Sequence, residues 1–167
     1  LKFVPGKKVS KIGPIEVLDL KDTNNELIRN ILSINGILSV FVYEDFLSVN
    51  KKNSIEWSEA KHIIISYIND YYSKGNDCVV QDEKSQNKSK NLSELEKKIV
   101  NLLETKIRPA VSRDGGDIVF QKFSEGVVTV KLKGSCSGCP SSTLTLKKGV
   151  ENLLCHYIPE VKEVISI

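Results

Sequence analysis

Val127-Val128-Thr129-Val130-Lys131-Leu132-Lys133-Gly134-Ser135-Cys136-Ser137-Gly138-Cys139-Pro140 is the stretch that decides how the second half of this chain folds. Residues 127–133 alternate: Val128, Val130 and Leu132 point one way and Thr129, Lys131 and Lys133 the other. That pattern predicts a strand with one buried face. Glycine and serine then break the alternation, and Pro140 suits a first helical turn, where its missing N–H would have no partner anyway. Beyond it Leu146, Val150, Leu153, Leu154 and Tyr157 recur at i, i+4, i+7, i+8 and i+11, which predicts an amphipathic helix. A C-x-x-C pair sits at the joint between strand and helix.

The neighbouring segments extend this frame in both directions. Ser93-Glu94-Leu95-Glu96 reads as a capping box with Leu92 as its staple residue. The helix it starts buries Leu95, Ile99, Leu102, Leu103 and Ile107, and Pro109 is expected to kink or end it. Asp114-Gly115-Gly116-Asp117 reads as a turn into a strand over Ile118–Phe123, and Glu125-Gly126 reverses the chain into residue 127. Pro159 ends the last helix, and Val161–Ile167 reads as a final strand. The order α-β-β-α-β describes a small α/β domain with a three-stranded sheet.

The first half reads as a second small α/β domain. Asn25–Ile34 has helical spacing, with Leu27, Ile28, Ile31 and Leu32 on one face, and Asn35-Gly36 stops it. Ile37–Val42 and Phe46–Asn50 flank Tyr43-Glu44-Asp45 as a hairpin. A helix over Trp57–Tyr72 turns Trp57, Ala60, Ile64, Tyr67, Ile68 and Tyr71 inward. The aliphatic run Ile63-Ile64-Ile65 reads as core, and strand pieces at Leu1–Val4 and Ile15–Leu20 complete the sheet. Gln81–Asn91 is almost wholly polar, so it reads as a solvated linker; a flexible tether over residues 73–91 would span roughly 25 Å root-mean-square. The expected organisation is a first domain over 1–74, a linker over 75–91 and a second domain over 92–167.

With 40% hydrophobic and 27% charged residues, the composition is that of an ordinary soluble globular protein. No apolar run reaches the ~20 residues that cross a bilayer, and the opening Leu1–Gly6 reads as a strand entering a turn rather than a signal peptide. Methionine is absent, so Leu1 is not an initiator and the sequence reads as a processed or trimmed form. The net charge of +3 arises in the second half: residues 1–80 carry ten basic and ten acidic side chains, residues 81–167 fourteen and eleven. No basic block is interleaved with aromatics, which argues against a nucleic-acid partner. Four cysteines, Cys78, Cys136, Cys139 and Cys155, do not make a disulfide scaffold in a chain this long. They point to metal or redox chemistry in a reducing compartment, cytosol or organelle matrix.

Cys136 and Cys139 are the candidate ligands, and they are half of a site. A tetrahedral zinc or an iron–sulfur cluster normally takes four protein ligands. Either the pair works alone as a redox dithiol, or two copies of the chain share one metal centre. The helix start at Pro140 is expected to lower the thiol pKa. Gly134 and Gly138 let backbone N–H groups approach a bulky ligand.

Ile107-Arg108-Pro109, Asp114-Gly115-Gly116-Asp117, Gly134 to Ser142 and Ile158-Pro159-Glu160-Val161 together resemble the C-terminal domain of NifU-type iron–sulfur proteins, over essentially all of residues 92–167. The first half is similar to that family's N-terminal Nfu domain through Leu1–Gly6, Ile34–Ile37, Ser39-Val40-Phe41 and Trp57. The resemblance implies a two-domain Nfu carrier of the mitochondrial matrix or a bacterial cytoplasm, not a turnover enzyme. It implies a [4Fe–4S] cluster bridging two protomers, with Cys136 and Cys139 contributed by each. It also implies loading by upstream cluster-assembly proteins and delivery to apo iron–sulfur clients; the composition and the lack of an apolar span speak against a nucleic-acid or membrane partner.

Two rivals use the same thiols: a thiol–disulfide oxidoreductase, and a four-thiolate zinc site across a homodimer. The oxidoreductase reading lacks the usual aromatic before the first cysteine, where Ser135 stands. Cys155 reads as packing and Cys78 as an exposed, idle thiol. His156 reads as surface or packing, and His62 has no evident partner. Asp114 and Asp117 read as turn residues rather than ligands. Lys131, Lys133, Lys147 and Lys148 bracket the cysteine loop and read as solvated surface, the alternative being attraction to an acidic client.

Overall fold

A computed structural model of the chain describes residues 1–79, 92–137 and 140–167, with the side chains of 140–143 outside that description. The chain divides into two compact units, Leu1–Gln86 and Asn87–Ile167.

In the first unit, strands β1 (Lys2–Phe3), β2 (Ile15–Val17), β3 (Ile37–Val42) and β4 (Leu47–Lys51) form an antiparallel sheet in the order β1-β4-β3-β2. Helices α1 (Glu26–Leu32) and α2 (Trp57–Ser73) supply Leu27, Ile28, Ile31, Ala60, Ile64 and Ile68 to a core shared with Val40, Val42, Leu47 and Val49. Asn25 caps α1 by accepting a hydrogen bond from Ile28 N at 3.1 Å. Ile64 is buried, but Ile63 and Ile65 are exposed. Three consecutive helical residues fan across more than half the circumference, so one of the three faces the core.

Packing in this unit runs past the expected boundary at residue 74. Val79 is buried in the core, and its N–H donates to Val9 O at 2.8 Å. The Asn25 amide donates to Val79 O at 2.7 Å and to Tyr71 Oη at 3.0 Å, while Tyr71 Oη donates to Cys78 O at 3.0 Å. Cys78, expected to be exposed, is buried for the same reason. The side chains of Tyr71 and of the distant Asn25 satisfy the carbonyls of Cys78 and Val79, and a composition-based linker over 75–91 could not reveal them. The remaining expected linker residues, 80–91, lie outside the described residues.

The second unit has the expected α-β-β-α-β order. Its first helix, α3 (Glu94–Leu102), starts with the expected capping box between Ser93 and Glu96. Pro109 does not end it. A π-helical segment over Leu103–Ile107, in which Arg108 N–H reaches back to Leu103 O, carries the chain into α4 (Arg108–Arg113). A proline ring clashes with the carbonyl four residues earlier, and one widened turn relieves that clash without breaking the helix. Strands β5 (Gly116–Ser124) and β6 (Val127–Gly134) pair antiparallel, with an irregularity between Phe120 and Lys122. Their turn puts Glu125 at φ 52° and Gly126 at φ 88°, the left-handed pair that matches strand twist. Helix α5 (Pro140–Tyr157) then crosses back so that β7 (Glu163–Ser166) lies parallel to β6, giving the sheet order β5-β6-β7.

Val128, Val130 and Leu132 pack with Ile99, Leu103, Ile107, Val111, Val150, Leu154 and Val164. Tyr157, expected inward, is exposed and makes an edge contact with His156. Thr129, expected outward, is buried, and its Oγ1 has no hydrogen-bond partner among the described residues. Its strand is the middle one of three, flanked at this level by Lys122 and Ile165.

Candidate functional site

The site forms where β6 gives way to α5. Gly134 ends β6 at φ 65°, a left-handed conformation that turns the chain off the sheet. A single 3-10 turn over Ser135–Ser137 follows, braced by Ser137 Oγ donating to Gly134 O at 2.8 Å. The Asp114-Gly115 turn holds the same loop from below. Ser135 N donates to Gly115 O at 3.2 Å, and Ser135 Oγ donates to Asp114 O.

Cys136 is therefore fixed rather than dangling. Its residue is 9% exposed, and its side chain joins the core cluster of this unit. The thiol lines a cleft of about 310 Å³ bounded by Ala110, Val111, Asp114, Ser135 and Leu146. Burial pushes the Cys136 thiol above its ordinary value of 9.0; Asp114 and Asp117 push it further, and the Ser135 hydrogen bond opposes them. At Cys136 this runs against the expectation of a lowered thiol pKa, with burial the largest cause. A metal that takes this sulfur must displace a proton.

Cys139, the second expected ligand, lies outside the described residues. Among the described residues no three His, Cys, Asp or Glu side chains gather as a metal-ligand set. Asp117 is occupied otherwise: its side chain is 0% exposed and takes Arg108 Nε at 2.7 Å and Nη2 at 3.0 Å. Arg108 also reaches Glu104 at 3.0 Å through Nη1. Cys155 is half-buried against the core, while His62 and His156 are exposed. Lys131 and Lys148 are exposed, and Lys147 is 3.8 Å from Glu163.

The residues present suit a soft, sulfur-ligated group. A thiol sits at a largely apolar cleft, and the one fully buried carboxylate beside it is paired with a guanidinium. The sequence reading missed Gly116, Asp117 and Arg108 as parts of this seat. A usable signal was there: a buried aspartate needs a cation, and the chain has only three arginines (Arg29, Arg108 and Arg113).

Comparison with known proteins gives a consistent answer over both units. Residues 99–165 match the family model described as the NifU-like domain, and residues 1–75 match that of the scaffold protein Nfu/NifU N terminal. NifU-like protein 4, mitochondrial, of Arabidopsis thaliana is 39% identical over 171 residues, covering 98% of this chain and 60% of that protein. The NFU1 iron-sulfur cluster scaffold homolog, mitochondrial, of Homo sapiens is 39% identical over 170 residues, covering 100% of this chain and 67% of that protein. The chain thus spans about three-fifths of the length of the Arabidopsis relative. A solution structure of a NifU-like protein from Saccharomyces cerevisiae aligns with 50% of this chain and 76% of that one, at TM-score 0.44 and 22% identity.

Proposed function

The chain belongs to the two-domain Nfu/NifU family, and from that premise we propose that it is an iron–sulfur cluster scaffold and carrier of the mitochondrial matrix. The observation that carries the reading is the seating of Cys136 in the lining of a largely apolar cleft, within the unit matched by the NifU-like model. Cys136 and Cys139 of each of two protomers hold a [4Fe–4S] cluster between them, the four thiolates such a cluster takes. The cluster is cargo. Upstream assembly proteins load it, and apo iron–sulfur clients receive it as their own cysteine thiolates replace Cys136 and Cys139 on iron. The departing Cys136 sulfur regains its proton readily, because burial there favours the neutral thiol. The first unit serves as the docking module for clients or loading partners.

The absence of the usual aromatic before the first cysteine, where Ser135 stands, weighs against a thiol–disulfide oxidoreductase. Anaerobic reconstitution with iron and sulfide tests the carrier reading through absorbance, Mössbauer spectrum and mass in solution. Four irons per dimer, lost in Cys136→Ala and in Cys139→Ala, is the expected result. A colourless monomer whose two cysteines cycle through a disulfide would overturn it, and a colourless dimer holding zinc would put the four-thiolate zinc site in its place.

A further inference from the structure

The first residue of β5 lies closer to the cysteine loop than any side chain allows. A Cβ on Gly116 would stand 2.5 Å from Cys136 Sγ, 2.8 Å from Lys133 O and 2.9 Å from Cys136 Cβ. Contacts under 3.0 Å are essentially never made by real Cβ atoms. Gly116 is not among the glycines at positive φ, so what the position demands is space rather than backbone freedom.

The surroundings hold Gly116 from both sides. It pairs with Gly134 at the end of β6, and Lys133 O belongs to that strand's backbone. The next residue, Asp117, is gripped by two hydrogen bonds from Arg108. The wall is therefore stiff. Where wall and thiol compete for space, the thiol has the easier retreat, into the cleft beside Ala110, Val111 and Leu146.

We infer that Gly116, which offers no atom to a metal, is a positioning residue for the cluster ligand Cys136: the bare Cα fixes where that sulfur sits and how long cargo stays bound. The inference rests on the carrier reading for its consequence, but its structural half stands by itself.

The test is a mutant cycle on the full chain. In the metal-free protein, Gly116→Ala should lower hydrogen-exchange protection of the β5–β6 amides by about tenfold when Cys136 is present, and the difference between the two backgrounds is the coupling. In a Cys136→Ala background the loss should be several-fold smaller, because Sγ is gone while Lys133 O and the Cβ of residue 136 remain. Equal losses in both backgrounds, or unfolding in both, would assign the close approach to those two atoms rather than to Sγ and overturn the inference. Unfolding of Gly116→Ala alone, repaired by Cys136→Ala, would support it.

In reconstituted protein, Gly116→Ala should shorten the life of the iron–sulfur absorbance under a chelator by about tenfold, the lower end of what displaced ligand support costs a metal site. An unchanged lifetime would overturn the positioning role. A wild-type chain that takes up no iron and sulfide would defeat the carrier reading, while the exchange cycle would still decide the contact between Gly116 and Cys136.

Discussion

Arg108 grips Asp117 with two hydrogen bonds, Nε to Oδ1 at 2.7 Å and Nη2 to Oδ2 at 3.0 Å, and the carboxylate it holds is wholly buried. The π-helical segment before Arg108 matters here. It lets the helix pass Pro109 and brings the guanidinium to the first turn of β5. Removing the cation strands a buried negative charge, which typically costs about 3–5 kcal/mol, whereas removing both partners costs less. Arg108→Ala should therefore destabilise the second unit strongly, Arg108→Ala with Asp117→Ala more mildly, as read from exchange of the β5 amides. Arg108→Lys should fall between wild type and Arg108→Ala, because an ammonium cannot reproduce the planar fork. Equal destabilisation by the single and the double variant would show that the pair does not act as a unit.

The buried thiol has a pH signature. The folded pKa of Cys136 lies above the ordinary 9.0, first because of burial, then because of Asp114 and Asp117. At any pH below that range its thiolate fraction is smaller than that of an exposed cysteine. In the metal-free chain, alkylation at Cys136 should be slower than in an unstructured cysteine peptide at pH 8, and should still be rising where the peptide has levelled off. Asp114→Asn should speed the reaction by removing a nearby negative charge. Ser135→Ala should slow it by removing the hydrogen bond that favours the thiolate. Mass spectrometry after timed quenching separates Cys136 from the other thiols, and alkylation as fast as the peptide's would contradict the buried seat.

What the sequence made legible follows a physical divide. Periodicity exposed the elements: the Val128–Leu132 alternation became β6, the capping box at Ser93 became the start of α3, and the Glu125-Gly126 reversal became the β5–β6 turn. Those signals are local, set by two- and 3.6-residue repeats and by turn chemistry. The C-x-x-C spacing that singled out Cys136 as a candidate is a local signal of the same kind. Non-local facts stayed hidden. Nothing within a few residues of Gly116 announces that Cys136, twenty positions on, will press against it. Cys78 sits beside a polar tract, and its segment is held in by Tyr71, which donates to Cys78 O, and by Asn25, far upstream, which donates to Val79 O. The thiol pKa went the wrong way because a helix start can be read from Pro140, whereas the depth of a neighbouring sulfur cannot.

Tyr72 supplies a probe for the first unit. Its phenol is pushed up to about 12, mainly by burial, with Tyr71 and Cys78 adding, and its hydroxyl donates to Lys8 O at 3.3 Å. A raised phenol pKa means that the folded state keeps a proton the unfolded state gives up. The contribution is whole below pH 10, the unfolded value, and is lost as pH rises toward 12. Absorbance titration should show Tyr72 ionising late, and Tyr72→Phe should delete that late step. The same variant should flatten the alkaline fall in stability of this unit, read by fluorescence of Trp57, the chain's one tryptophan. Survival of the late step in Tyr72→Phe would assign it to another residue.

Asn25 does two jobs whose separation predicts how the first unit ends. Its Oδ1 caps α1 at Ile28 N, and its Nδ2 holds Val79 O at 2.7 Å and Tyr71 Oη at 3.0 Å. Asn25→Asp keeps the cap acceptor but removes the donor. Asn25→Ala removes both and costs about 1 kcal/mol for the cap alone. If the donor latches residues 76–79 to the core, both variants should make Cys78 react with a thiol reagent at least several-fold faster. Only Asn25→Ala should also weaken α1. Tyr71→Phe, which removes the bond to Cys78 O, should open the same segment without touching the cap. Cys78 reacting at the wild-type rate in all three would mean that apolar burial of Val79 holds the segment, and that the Asn25 amide is incidental to it.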